Sequence, residues 1–160
     1  EVNREVQSGG WKFNTSYKVT LSRDTNNKIP IANDVMHVEL NPLLESKGSY
    51  DPVIRGSFLY NLATESFVFD KSFDNVTVIT LLDFESIPEQ ARRYITIRAS
   101  RIFHDRTLGA NALHRFSRQD ELVALSILKQ AEAAVADHSI FNSHDQFKTV
   151  SRSRSYKLID

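Results

Sequence analysis

Ser86-Ile87-Pro88-Glu89-Gln90-Ala91-Arg92-Arg93-Tyr94-Ile95-Thr96-Ile97-Arg98-Ala99-Ser100-Arg101-Ile102-Phe103 is the stretch at which this chain changes period. Ser86, three residues ahead of Glu89, spells a capping box, and Pro88 falls in a first turn, where a helix needs no amide from it. Ala91, Tyr94, Ile95, Ala99, Ile102 and Phe103 then recur at helical spacing on one face, while Arg92, Arg93, Arg101 and His104 take the other. The pattern predicts a helix from Ser86 to Arg106, stopped by Gly109. A second helix, Ser117 to Asp137, follows from a weaker Ser117/Asp120 box and a broad stripe of Val123, Ala124, Ile127, Leu128, Ala131, Ala134 and Val135. Leu122 and Leu125 widen that stripe beyond one neighbour, and its alanines let another backbone approach closely. A sandwiched helix, between elements or between subunits, is the expectation.

Upstream of Ser86 the period is two. Trp11, Phe13, Thr15, Tyr17, Val19 and Leu21 alternate with polar residues, which predicts one long half-buried strand. Ser22 to Lys28 is polar and reads as a turn or loop; Ile29-Pro30-Ile31 resumes extended chain, with Pro30 suited only to an edge. Met36, Val38 and Leu40 mark a further strand, and Leu43 to Pro52 reads as loop. Val53 to Tyr60 and Phe67 to Phe69 read as two strands of a hairpin joined by 61–66. Asn75 to Phe84 is apolar on both faces, which places it near a sheet centre. Glu1 to Ser8 reads as helix, with Val2 and Val6 on one face and no cap before it, as if the chain began inside that helix. The fold class expected is α+β: an antiparallel β module of about five strands, then a helical hairpin packed with an N-terminal helix, then an extended C-terminal arm. The boundaries are 1–10 (end of the N-terminal helix), 11–85 (β module), 86–141 (helical layer) and 142–160 (arm).

A length of 160 residues suits one domain, and 41% hydrophobic with 10% aromatic residues supplies a genuine core rather than a disordered chain. Twenty basic side chains balance twenty acidic ones, so no global field draws the molecule to nucleic acid or anionic lipid. The balance hides a split. Residues 1–88 hold 8 basic and 12 acidic side chains, net −4, whereas 89–160 hold 12 and 8, net +4. Copies of such a chain can meet acidic lobe against basic helices, although solvated faces on a monomer give the same count. The absence of cysteine excludes disulfides, thiolate metal sites and a thiol nucleophile. No apolar run approaches the ~20 residues needed to span a bilayer, and no leader pattern stands at the start, so the chain reads as soluble and untargeted.

Chemistry is harder to find. The five glycines have no phosphate-cradling spacing, and the five histidines show neither HxH nor HExxH, so no cofactor and no preformed metal face is expected. Asp137-His138 and His144-Asp145 flank a loop in which ordinary exposed polar residues are the simpler reading. A glycosidase needs two carboxylates facing across a cleft. Asp83 and Glu85 share one side of a strand end, and Glu65 stands at the hairpin with Asp70 and Asp74, near Phe67, Phe69 and Phe84. Glu65, Asp83 and Glu85 are therefore the speculative acids if the protein hydrolyses anything; any β module with charged turns offers as much. Arg92, Arg93, Arg98, Arg101, Arg152, Arg154 and Lys157 form the other group, suited to phosphates or to a partner's acids. Arg98 lies at the edge of the apolar stripe, where a structural or interfacial ion pair is favoured over nucleic acid.

Three segments carry a resemblance: Glu1-Val2-Asn3-Arg4-Glu5-Val6-Gln7-Ser8-Gly9-Gly10-Trp11-Lys12-Phe13-Asn14; Arg55-Gly56-Ser57-Phe58-Leu59-Tyr60 with Phe69-Asp70; and Ile87 to Phe103. In order and spacing, nearly end to end, the chain resembles the tail tubular protein A family of autographivirus-type short-tailed phages. The resemblance implies a structural virion protein without an enzymatic role. Its copies would form a ring, a dodecamer in the virion, docked between the portal and the nozzle made of tail tubular protein B. Tail fibres would be further contacts, and DNA would pass through the axial channel without sequence-specific binding. It also implies synthesis in the host cytoplasm and no membrane partner. The arginines and Lys157 named above would then serve subunit or portal interfaces, with the two long helices as the ring layer and the β module projecting toward tail components. Two other classes stay open: the same connector with added glycan hydrolysis, and an unrelated α+β binding module.

Overall fold

The computed structural model describes residues 1–40, 50–107 and 111–136. The chain is α+β, with antiparallel strands followed by a helical hairpin. Helix α1 (Val2–Gln7) leads into a 3-10 turn (Lys12–Asn14) and strands β1 (Thr15–Leu21), β2 (Val35–Glu39), β3 (Pro52–Arg55), β4 (Phe58–Asn61) and β5 (Phe73–Thr80). A second 3-10 turn (Phe84–Ser86) precedes helices α2 (Glu89–Thr107) and α3 (Asn111–Ala136). β5 lies between β1 and β2 in a three-stranded sheet, and β3 pairs with β4 in a second, two-stranded one. The apolar β5 does occupy the sheet centre, with Val76 and Val78 buried on one face.

Among the described residues, two apolar clusters divide the interior. Ile29, Ile31, Val38, Leu59, Phe69, Phe73, Val76 and Val78 form the β core. Val6, Ile87, Ala91, Tyr94, Ile95, Ala124 and Leu128 form the helical core, so α1 packs with the α2–α3 hairpin as its amphipathic spacing requires. The chain crosses between the clusters where β5 ends.

The long strand expected from Trp11 starts four residues later. Asn14 is buried, accepts the Trp11 amide at 2.9 Å, and donates to the carbonyls of Gln7 at 2.9 Å and Thr80 at 3.1 Å, which forces a turn rather than an extended start. The alternation fails again inside β1, where Lys18 takes a positive φ of 62° and an extra residue between Ser16 and Val19 forms a bulge. Tyr17 therefore ends up exposed.

Val53 to Tyr60 is not one strand but a hairpin. Arg55 pairs with Phe58, leaving Gly56-Ser57 as a two-residue loop with Gly56 at φ 62°, the glycine-first arrangement that matches strand twist. Phe67 to Phe69 forms no strand, because the 61–66 loop is pinched shut by paired backbone hydrogen bonds between Asn61 and Ser66. Ile29-Pro30-Ile31 runs beside the hairpin: Ile31 N–H donates to Ser57 at 2.8 Å, Leu59 N–H donates to Ile29 at 2.9 Å, and Pro30 stays outward.

The Ser86 capping box does not form. Ser86 closes a 3-10 turn, its amide bonded to the Asp83 carbonyl at 2.9 Å, and α2 begins at Glu89, whose carboxylate pairs with Arg92 at 2.8 Å instead of reaching back. At the other end Phe103 faces solvent rather than the apolar stripe. α3 starts at Asn111, six residues before the expected Ser117, since neither Gly nor Pro interrupts the intervening sequence. Gly109, His138, His144 and the whole 142–160 arm lie outside the described residues.

Candidate functional site

The arginines predicted as one interface separate into two groups. Arg98 and Arg101, one helical turn apart on α2, converge on Glu121 of α3. Arg98 binds Glu121 at 2.7 Å and Glu5 of α1 at 2.5 Å, and Arg101 also holds Asp105 at 2.9 Å. This network staples all three helices together. Burial pushes the Glu121 carboxyl up, but the hydrogen bonds from Arg101 and Arg98 outweigh it and leave its pKa below the ordinary value. The carboxylates in turn raise both guanidinium values, Glu5 and Glu121 acting on Arg98 and chiefly Glu121 on Arg101. The partners of Arg98 were not legible in the sequence; the one sign of Glu121 is that it stands just before the apolar run of α3, one turn ahead of Ala124 and Leu125.

Arg92 and Arg93 point the other way. With Phe84, Glu89, Thr96 and Ile97 they line an open groove of about 530 Å³. Phe84 is 40% exposed, and the Arg92 Nε is buried with no hydrogen-bond partner among the described residues. Arg152, Arg154 and Lys157 lie outside the described residues.

The three speculative acids are not brought together. Glu65 sits on the 61–66 loop, whose Thr64 and Ser66 line one cleft with Tyr50 and Phe69, the two rings that pack on Phe73 at the start of β5. Asp83 precedes the 3-10 turn beyond its other end, and Glu85 lies within that turn. β5 itself runs about 23 Å from its first residue to its last, against the ~5–10 Å that a pair of glycosidase carboxylates requires. An open cleft of about 750 Å³, lined by Arg23, Asn27, Asn61 and Thr64 among others, contains a different acid, Asp70. The Tyr50 hydroxyl donates to it at 2.6 Å and holds its carboxyl below the usual carboxylate range, an arrangement that keeps it ionised rather than poised to give up a proton.

What the helices do leave open is apolar. Phe103 (63%), Leu122 (58%), Val123 (50%) and Val135 (65%) are exposed, although Ala124, Leu125 and Leu128 on the same α3 serve the helical core. Among the described residues no group of three potential metal ligands is assembled, and no helix is long and apolar enough to cross a membrane.

A family model described as tail tubular protein matches residues 1–138, from α1 to the end of α3. The chain belongs to the tail tubular protein family. As a tail tubular protein it is a structural component of a phage tail and assembles with other virion components. The match stops short of Arg152, Arg154 and Lys157. Comparison with curated proteins gives no match.

Proposed function

We propose that this tail protein is the ring-forming adaptor between portal and nozzle, through whose axial channel DNA passes without being read. The observation that supports this most directly is the apolar surface of the helical hairpin. Leu122, Val123 and Val135 are left uncovered on a helix that already fills its own core, as an element sandwiched between subunits requires. A ring needs two different, complementary patches on each copy, and the opposite charges of the two halves of the chain supply that difference. Tail fibres would meet the outer surface of the ring.

Native mass spectrometry of the protein mixed with purified portal and nozzle proteins tests the reading. A bridged species containing all three is expected. Binding to neither neighbour would overturn the adaptor role while leaving membership of the tail intact.

A further inference from the structure

The exposed loop Leu62–Glu65 and the groove at Phe84, Arg92, Arg93 and Ile97 are chemically complementary and lie at opposite ends of β5. The loop is a preformed knob. Asn61 is buried and exchanges backbone hydrogen bonds with Ser66 at 2.8 and 3.2 Å, while its side-chain oxygen accepts the amides of Asp51 at 2.9 Å and Ala63 at 3.1 Å. Glu65 is held at φ 50°, a left-handed conformation that strains a residue with a Cβ and persists only where the surroundings enforce it. The knob presents one large apolar side chain, Leu62 at 41% exposure, and one carboxylate, Glu65.

The groove offers the converse: the half-open ring of Phe84 and the side of Ile97 for an apolar group, and Arg92 and Arg93 for an acid. Arg92 spends only part of its guanidinium on Glu89. The knob belongs to the half of the chain with net charge −4 and the two arginines to the half with +4. Because the length of β5, about 23 Å, lies between them, no copy can fill its own groove.

We infer that Leu62 and Glu65 of one copy seat against Phe84 and Arg92–Arg93 of the next. The contact is heterologous, since knob and groove are different surfaces, and repetition of it closes a ring or extends a filament. It rests on the ring reading above and adds to it which surfaces meet.

Charge exchange tests the pairing. E65R alone and R92E/R93E alone are each expected to weaken self-association of the full chain by roughly tenfold or more in sedimentation velocity, with unchanged circular dichroism and thermal midpoint. Mixing the two variants restores both contacts, because the basic knob of E65R meets the acidic groove of R92E/R93E and the native knob of the second variant meets the native groove of the first; assembly should return only in the mixture. Variants that assemble as well as the unmodified chain, or a mixture that fails to recover, would overturn the pairing and leave the ring standing. An unmodified chain that stays monomeric both alone and with portal protein would overturn both.

Discussion

The side-chain amide of Gln7 exchanges two hydrogen bonds with the backbone of Leu82, donating from Nε2 to its carbonyl at 2.8 Å and accepting its amide on Oε1 at 2.8 Å. The Gln7 side chain thus imitates a neighbouring strand just past the end of β5. Gln7 is fully buried, and its own carbonyl accepts from Asn14, so one polar seam joins α1, the first 3-10 turn and the outgoing chain between the two apolar clusters. Q7A leaves both the N–H and the C=O of half-buried Leu82 without these partners. A loss of about 1–3 kcal/mol in urea unfolding is expected. A loss under about 0.5 kcal/mol would show that water replaces the amide without cost.

Glu121 makes a separate prediction. E121A leaves Arg98 and Arg101 facing each other on α2 with their shared counter-charge gone, and about 2–3 kcal/mol of stability should go with it, less than for a fully buried pair because both arginines are partly solvated. E5Q removes only the half-exposed outer partner of Arg98 and should cost less than about 1 kcal/mol. The two variants are compared by urea midpoints at equal slope.

The same carboxylate predicts a pH dependence. Its folded pKa lies below its unfolded one, so its contribution is complete above the unfolded value of about 4.3 and is lost as pH falls through the lower folded value. Thermal midpoints measured from pH 6 down to pH 3 should fall more steeply for the native chain than for E121Q. Parallel curves would remove Glu121 from the acid response.

Gly10 and Gly56 both have positive φ, yet their substitutions should differ. A Cβ on Gly10 would lie 2.7 Å from the Ile79 Cδ1, whereas one on Gly56 meets nothing within 4 Å. G56A should cost only the backbone term, about 1 kcal/mol, and G10A more than that, because Ile79 must also shift. Equal losses would mean that the Ile79 methyl group rotates away freely.

V123K separates surface from core on α3. It should leave unfolding free energy within about 0.5 kcal/mol of native, while L128A loses about 2–5 kcal/mol. V123K should nonetheless fail to assemble with portal and nozzle proteins. Full assembly by V123K would remove this face from the ring contact.

What the sequence revealed follows from which forces act locally. β5 and the cores of α2 and α3 were legible because burial alone sets their periodicity: Val76, Val78, Ala91, Tyr94, Ile95, Ala124 and Leu128 are all interior. Where a side chain bonds a distant backbone, periodicity misleads. Asn14 looked like an outward strand residue, and only its bonds to Gln7 and Thr80 make it the pivot of a turn. Gly56-Ser57 was a turn signal in plain view, hidden by the apolar residues on both sides of it. The site was less legible still. Arg92 and Arg93 were grouped with Arg98 and Arg101 as one interface set, and nothing local distinguishes the two pairs, since the fate of Arg98 and Arg101 depends on a glutamate twenty residues or more away along the chain.

The bulge at Lys18 has a consequence for a protein made in many copies. β1 borders its sheet, and a straight border offers its amides and carbonyls to any passing strand. Here the left-handed lysine breaks that row and sets a positive charge beside the gap, while Asn75, also left-handed, returns β5 to register across from it. That border is thereby a poor template for another strand, which leaves contact between copies along it to side chains rather than to backbone.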